Sequence, residues 1–223
     1  MHQDCVSRVW GFDALPPTAR LPEVCTVLAR WWRLRIPNSY KESAWRLTLD
    51  AFPTAQRMGL MQSPCVACGT LGPDVGHHFW SCQVAQAVRR EVEMQLQAKG
   101  WLSAGGRVMC ASFWLGVLPT SALVAWVWDL VCIAALHAME VGRSAAWAVS
   151  RQLSVPVLVS EVAQRAAVAA FWSALADFAA TTRVPGAARS PALTDQPFLA
   201  WHAVVVRGNG LRVVRIRQAP SAP

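Results

Sequence analysis

The sequence predicts a mainly helical protein whose helices are interrupted once by a cysteine-rich knuckle. Two observations predict it. Apolar residues recur at intervals of three and four along most of the chain, the spacing of one helix face. Between residues 62 and 82 that period vanishes, and Gly, Pro and Cys take its place. The full expectation is a small helical module around a Cys-Cys-His-Cys knuckle, then a long helical pair and a C-terminal β-hairpin. The 223 residues are 54% hydrophobic and 15% charged, which suffices to bury a core in one domain or two small ones. The boundaries read as an irregular lead-in over 1–21, helices plus knuckle over 22–100, an Ala- and Trp-rich helical region over 101–183, and linker, hairpin and tail over 184–223.

Pro16–Pro17 closes the lead-in. From Pro22 to Arg35, Val24, Leu28, Trp31, Trp32 and Leu34 keep a helical spacing, which Pro37–Asn38–Ser39 breaks. Ser39 can cap a second helix, Tyr40 to Ala51, with Tyr40, Ala44, Leu47 and Ala51 on one face. Pro53 opens a short third helix, since proline at the first helical position sacrifices no hydrogen bond. After Cys82 the stripe Val84, Val88, Val92 and Leu96 predicts a fourth helix, with Arg89, Arg90, Glu93 and Gln97 off the stripe and Gly100 at C′. Two long helices follow, Ser121 to Arg151 and Ser160 to Thr181, separated by Pro156. Ala134, Ala135, Ala138, Ala166, Ala169 and Ala170 let them pack closely as an antiparallel pair. Alternation from Trp201 to Arg217 around Arg207–Gly208–Asn209–Gly210 predicts the hairpin.

The uncharged run Cys110 to Trp128 approaches the length of a membrane span. Pro119 and the Thr120–Ser121 pair divide it, and Asp129 closes it, so the reading is a buried core helix and no membrane. The mean hydropathy, +0.28, points to a surface that meets a partner, or to a piece of something larger.

Net charge is +8, and of the 21 basic residues only Lys41 and Lys99 are lysines. Arginine forks match phosphate oxygens, so this balance fits a polyanionic partner such as RNA or DNA, although net charge speaks to non-specific binding and not to fold. Arg30, Arg33, Arg35, Lys41, Arg46 and Arg57 lie among Trp31, Trp32 and Trp45, and Arg89 and Arg90 follow the knuckle. Cations interleaved with aromatics suit the phosphates and stacked bases of single strands. An ordinary solvated face beside core tryptophans would look the same.

The seven cysteines are an odd number without a secretory apolar segment before them, which suggests a reducing compartment and metal before disulfides. Cys65-x-x-Cys68, eight residues, His77, four residues and Cys82 offer four ligands in one short stretch. Zinc takes four tetrahedral nitrogen and sulfur ligands, and a Cys-x-x-Cys turn supplies two of them. Gly69 relaxes the turn, and Cys82 sits where the fourth helix begins. His77 and His78 compete for the third position, and spacing favours His77. With all four positions filled by protein, no place remains for a catalytic water, so a single Zn2+ here is structural.

At these residues the sequence resembles the zinc-binding region that follows the polymerase in reverse transcriptases of non-LTR (LINE-type) retrotransposons. The resemblance runs through Trp32-Arg33-Leu34-Arg35-Ile36-Pro37, Trp45-Arg46-Leu47, Phe52-Pro53-Thr54, Cys65-Val66-Ala67-Cys68-Gly69 and His77-His78-Phe79-Trp80-Ser81-Cys82. It covers about residues 28 to 95, and Gly76 stands where that family commonly carries an acid. It implies a module that assists template or target binding, in an intracellular, nuclear setting, beside a polymerase domain in the same or another chain. No paired polymerase carboxylates occur, and Asp50, Asp74, Asp129, Asp177 and Asp195 are scattered singly, so the chain is expected not to be an enzyme. His137 and Glu140 fall three apart on one helix, and His137 reads as a satisfied core histidine and not a catalytic one. The competing reading is a protein-interaction module that docks its apolar helical half on a partner.

Overall fold

The structure, a computed structural model, describes residues 20–48, 51–55, 57–121, 123, 125–152, 156–182, 204–207 and 210–213. The body is helical: α1 Arg20–Arg33, α2 Asn38–Thr48, a π-helical turn His77–Ser81, α3 Gln83–Ala98, α4 Cys110–Trp114, α5 Ala125–Ser150 and α6 Pro156–Thr182.

α5 is the axis of the body. Leu130 to Leu136 form an unbroken buried run, with Ala138 and Met139 after it, so this helix is covered on every side in its middle. α6 lies along it as an antiparallel partner: Gly142 of α5 meets Ala163 and Ala167, while Tyr40 bridges the earlier His137 and the later Phe178. A Cβ on Gly142 would come within 2.5 Å of Val84 Cγ1 and 2.7 Å of Ala167 Cβ, so only glycine lets α3, α5 and α6 converge there. The expected small residues of α5 are buried. On α6 the buried ones are Ala163, Ala167 and Ala174, while Ala166 and Ala170 are half-buried on the flank.

The apolar stripe of α3 is borne out, with Val84, Val88, Val92 and Leu96 all buried. Its C-terminus closes as a Schellman motif: Gly100 N–H donates to Gln97 O at 2.9 Å, and Trp101 N–H to Leu96 O at 2.9 Å. Glu93, expected off the stripe, is buried instead. It accepts from Val108 N–H at 3.0 Å and Arg107 Nη1 at 3.0 Å, which satisfies the carboxylate inside.

Other expectations are corrected. The short helix from Pro53 is absent among the described residues; 51–55 and 57–63 run in turns and irregular chain, with Thr54 O accepting from Met58 N–H at 3.0 Å. Ala51 is exposed, and α2 buries Lys41 and Ser43 with Ala44 and Leu47. Pro156 does not separate helices but opens α6, four residues before Ser160, whose hydroxyl donates to Gln83 Oε1 at 2.6 Å. α5 starts at Ala125, because the run from Cys110 is split into α4, a loop and α5. α5 is long and apolar enough to cross a membrane, yet 72% of its most apolar window is buried against the other helices. The helical body contains no strand. A pair, Val204–Arg207 with Gly210–Val213, is described, but most residues of the expected C-terminal hairpin lie outside the described ones, and it is not supported as part of the fold. The lead-in before Arg20, the linker 184–203 and the tail also lie outside the described residues.

α1 is fastened to α5 by a buried carboxylate. Asp129 has no solvent exposure and accepts from Arg30 Nε and Nη2, both at 2.6 Å, and from Trp31 Nε1 at 2.8 Å. Burial pushes this carboxyl up, and the Arg30 and Trp31 hydrogen bonds pull it down. Asp129→Ala should cost about 3 kcal/mol in denaturant unfolding, because it strands a partly buried guanidinium and an indole donor. Glu161→Ala, which removes an exposed pair with Arg165, should cost under about 0.5 kcal/mol.

Tyr40, the one tyrosine of the sequence, donates its hydroxyl to Asp177. Burial and that carboxylate push its phenol up to about 12. Because the folded value lies above the ordinary one of about 10, its contribution to stability is complete below that pH and is lost as pH rises through the folded value. Tyrosinate absorbance should therefore titrate near pH 12 in the folded protein and fall to the ordinary value in denaturant.

Candidate metal centre

The knuckle is a tight turn closed by its own backbone. Cys65 N–H donates to Thr70 O at 2.8 Å, while Cys68 and Gly69 donate back to Cys65 O at 3.2 and 2.7 Å. Gly69 has φ +79, a left-handed conformation that a side chain would strain, and it turns the chain directly after the second sulfur. The return path is set by Asp74, whose Oδ1 accepts from His77 N–H at 2.6 Å and caps the turn that follows. That turn winds one residue wide, with Cys82 N–H on His77 O at 2.7 Å. π-turns of this kind recur where a side chain has to be re-aimed. Here the wide turn brings His77 and Cys82, five apart, to the same side.

The four candidate ligand atoms, from Cys65, Cys68, His77 and Cys82, all lie within 4.8 Å of one another. Cys65 Sγ is 3.9 Å from Cys82 Sγ, and Cys68 Sγ is 3.3 Å from His77 Nε2. A tetrahedral ion with metal–sulfur bonds of ~2.3 Å and metal–nitrogen bonds of ~2.0 Å needs edges of roughly 3.5–3.8 Å. The donor set therefore fits a single metal ion. Of the two histidines, His77 is the one aimed inward. Its Nδ1 lies 3.3 Å from Ser81 Oγ, which leaves Nε2 for the metal. His78 faces Arg143, and burial followed by that positive charge holds its imidazole down at about 4.

The thiols are mutually entangled. The hydrogen bond from Cys82 holds the Cys65 thiol down at about 3, and the same contact, with burial, pushes Cys82 well above the ordinary thiol range. One thiolate thus forbids its neighbour from ionising, and a cation at the centre would remove that conflict. The knuckle is not without apolar support: Ala67, Val75 and Phe79 are buried, and Phe79 meets Phe52 at 4.5 Å between ring centres.

The basic candidates divide. Arg30 is engaged with Asp129. Lys41 is buried, its Nζ donating to Trp32 O at 3.2 Å and Leu34 O at 2.7 Å at the end of α1, and burial lowers its pKa. Arg46 pairs with Glu42 at 2.5 Å and Glu140 at 3.5 Å. The Arg89 guanidinium lies 4.3 Å over the Trp80 ring. Arg33, Arg35, Arg57 and Arg90 are exposed. Trp31 is core, whereas Trp32 and Trp45 are 54% and 44% exposed. The Asp74 cap and the Ser81 partner escaped sequence reasoning, although Asp is itself a favoured N-cap residue.

No protein-family model, no curated protein and no solved structure matches this chain.

His77→Ala should cut bound metal far below one equivalent per chain by elemental analysis, and His78→Ala should leave it intact. Ser81→Ala should weaken metal affinity by about tenfold, having lost only the partner that orients the ring. Affinity should fall as pH falls, since protons compete for the thiolates.

Proposed function

We propose that this chain is a non-catalytic zinc module that contacts single-stranded nucleic acid, and that, as its sequence resemblance suggests, it serves a retrotransposon reverse transcriptase. Zinc is favoured as the ion because three sulfurs and one imidazole at tetrahedral spacing suit it, and because four protein ligands leave no open position for chemistry. The ion then braces the turn from which α3 starts.

The observation that carries the nucleic-acid reading is the pair of half-exposed tryptophans, Trp32 and Trp45. Lys41 lies between them, 5.4 Å from the Trp32 ring centre and one helical turn before Trp45. Arg33 and Arg35 extend from the same helix end. Exposed indoles beside guanidinium groups are what bases and phosphates of an unpaired strand require. Arg30, Lys41, Arg46 and Arg89 of the expected basic set are engaged within the fold, so the surface is smaller than the sequence suggests. A second reading, docking on a polymerase domain or another chain, is favoured by the exposed apolar residues Trp147, Val157 and Leu158 at the α5–α6 end.

Filter binding of single-stranded RNA and DNA over a salt series separates the two. Phosphate contact should weaken steeply with salt, by about −0.7 in log–log slope per phosphate. Trp32→Ala and Trp45→Ala should each weaken binding by roughly tenfold. No binding at low salt, or binding indifferent to salt, sinks the nucleic-acid reading. Purified protein carrying well under one zinc per chain sinks the metal reading separately.

A further inference from the structure

Between the knuckle and α5 lies a cleft of about 280 Å3. Its walls are apolar, with Met58 and Leu60 from the turn, Val66 and Ala67 from the knuckle, and Met139 and Trp147 from α5. Met58, Leu60 and Trp147 are 53%, 50% and 50% exposed, so the mouth presents an apolar rim to water. Among the described residues one permanent cation, Arg143, lines the cleft, together with His78 and the candidate ligands Cys65 and Cys82, and no carboxylate does.

Arg143 is placed at a cost. It is half-buried, and its Nη2 donates to Pro53 O at 2.5 Å. Its Nε is buried without an acceptor, and among the described residues no carboxylate pairs with it. Arginine is rarely withdrawn from water without an anion. Burial, the largest influence, lowers its pKa, while the Glu140 carboxylate and then Cys65 raise it. Glu140, one turn earlier on α5, acts on the guanidinium without pairing with it, so an anion in contact with Nε would come from the thiols of Cys65 and Cys82, which also line the cleft, or from a guest in it.

We propose that the cleft binds a compact apolar monocarboxylate, its carboxylate on the Arg143 fork and its hydrocarbon between Met58, Leu60 and Trp147. A guanidinium matches a carboxylate with two parallel hydrogen bonds, and a single cation balances a single charge. The volume equals roughly nine waters, which admits a medium chain and excludes a long lipid. Flexible methionine at the rim adapts to such a chain. This site is independent of the nucleic-acid surface on α1 and α2.

Calorimetric titration of the full chain as purified, with octanoate, octanol and octylamine, tests it, with metal content measured on the same samples. Octanoate should bind about tenfold more tightly than octanol, and octylamine weakest of the three. Arg143→Gln should bring octanoate down to the octanol level. Leu60→Glu, a rim change that sets a fixed carboxylate beside the guanidinium, should weaken octanoate as well, and both variants should keep their metal. Octanoate binding no tighter than octylamine, or unaltered by Arg143→Gln, overturns the proposal. So does metal loss in Arg143→Gln alongside wild-type protein that ignores octanoate, which would assign the guanidinium to the thiolate centre. A wild-type chain without metal that still binds octanoate through Arg143 would sink only the zinc reading.

Discussion

The burial of α5 is the constraint on which the rest depends. A helix covered on every side in its middle has to be wrapped, and α6, α3, α2 and α4 are arranged by that need. Each brings a different kind of contact. α6 brings small residues and close approach at Gly142. α2 brings polar contacts, with Ser43 and Arg46 on Glu140 and Tyr40 against His137. α1 brings the Arg30–Asp129 pair. The candidate metal ligands then hang from the α3 side of this bundle, with Cys82 placed at the N-terminus of a helix that the core already holds.

Local signals were legible in the sequence wherever one residue type decides one feature. The valine stripe of α3, the glycine that ends it and the gathering of four candidate ligands in the knuckle all fall where spacing placed them. Signals that depend on a distant partner were not. Nothing near Arg30 announces that Asp129, 99 positions away, will take its guanidinium. Lys41 looks like a surface cation until α1 ends against it and offers two carbonyls. Glu93 sits one residue beyond the stripe, yet the chain returning at Arg107 and Val108 closes over it. Thr54 satisfies the turn after Pro53 with its own oxygen atoms, so proline there begins a turn and no helix.

The knuckle joins two stabilising principles. Its backbone turn is closed by hydrogen bonds and by Gly69, whereas its outer face is held by Phe79 on Phe52 and by the Trp114 indole, which donates to Phe79 O at 3.3 Å. The ligand atoms therefore gather on a frame that apolar packing helps to support, which limits how far the centre can spread.

The unequal burial of the four candidate ligands has a kinetic consequence for an ion bound there. Cys65, His77 and Cys82 are buried, and Cys68 alone is half-open to solvent, with Thr70 Oγ1 at 3.3 Å from its sulfur. A competing thiol or chelating molecule would reach an ion held there most directly at Cys68, because Cys65 and Cys82 face only the apolar cleft. Exchange would then proceed by detaching Cys68 first, and the lifetime of the bound ion would be governed by the mobility of a single turn and not by the strength of the whole coordination shell.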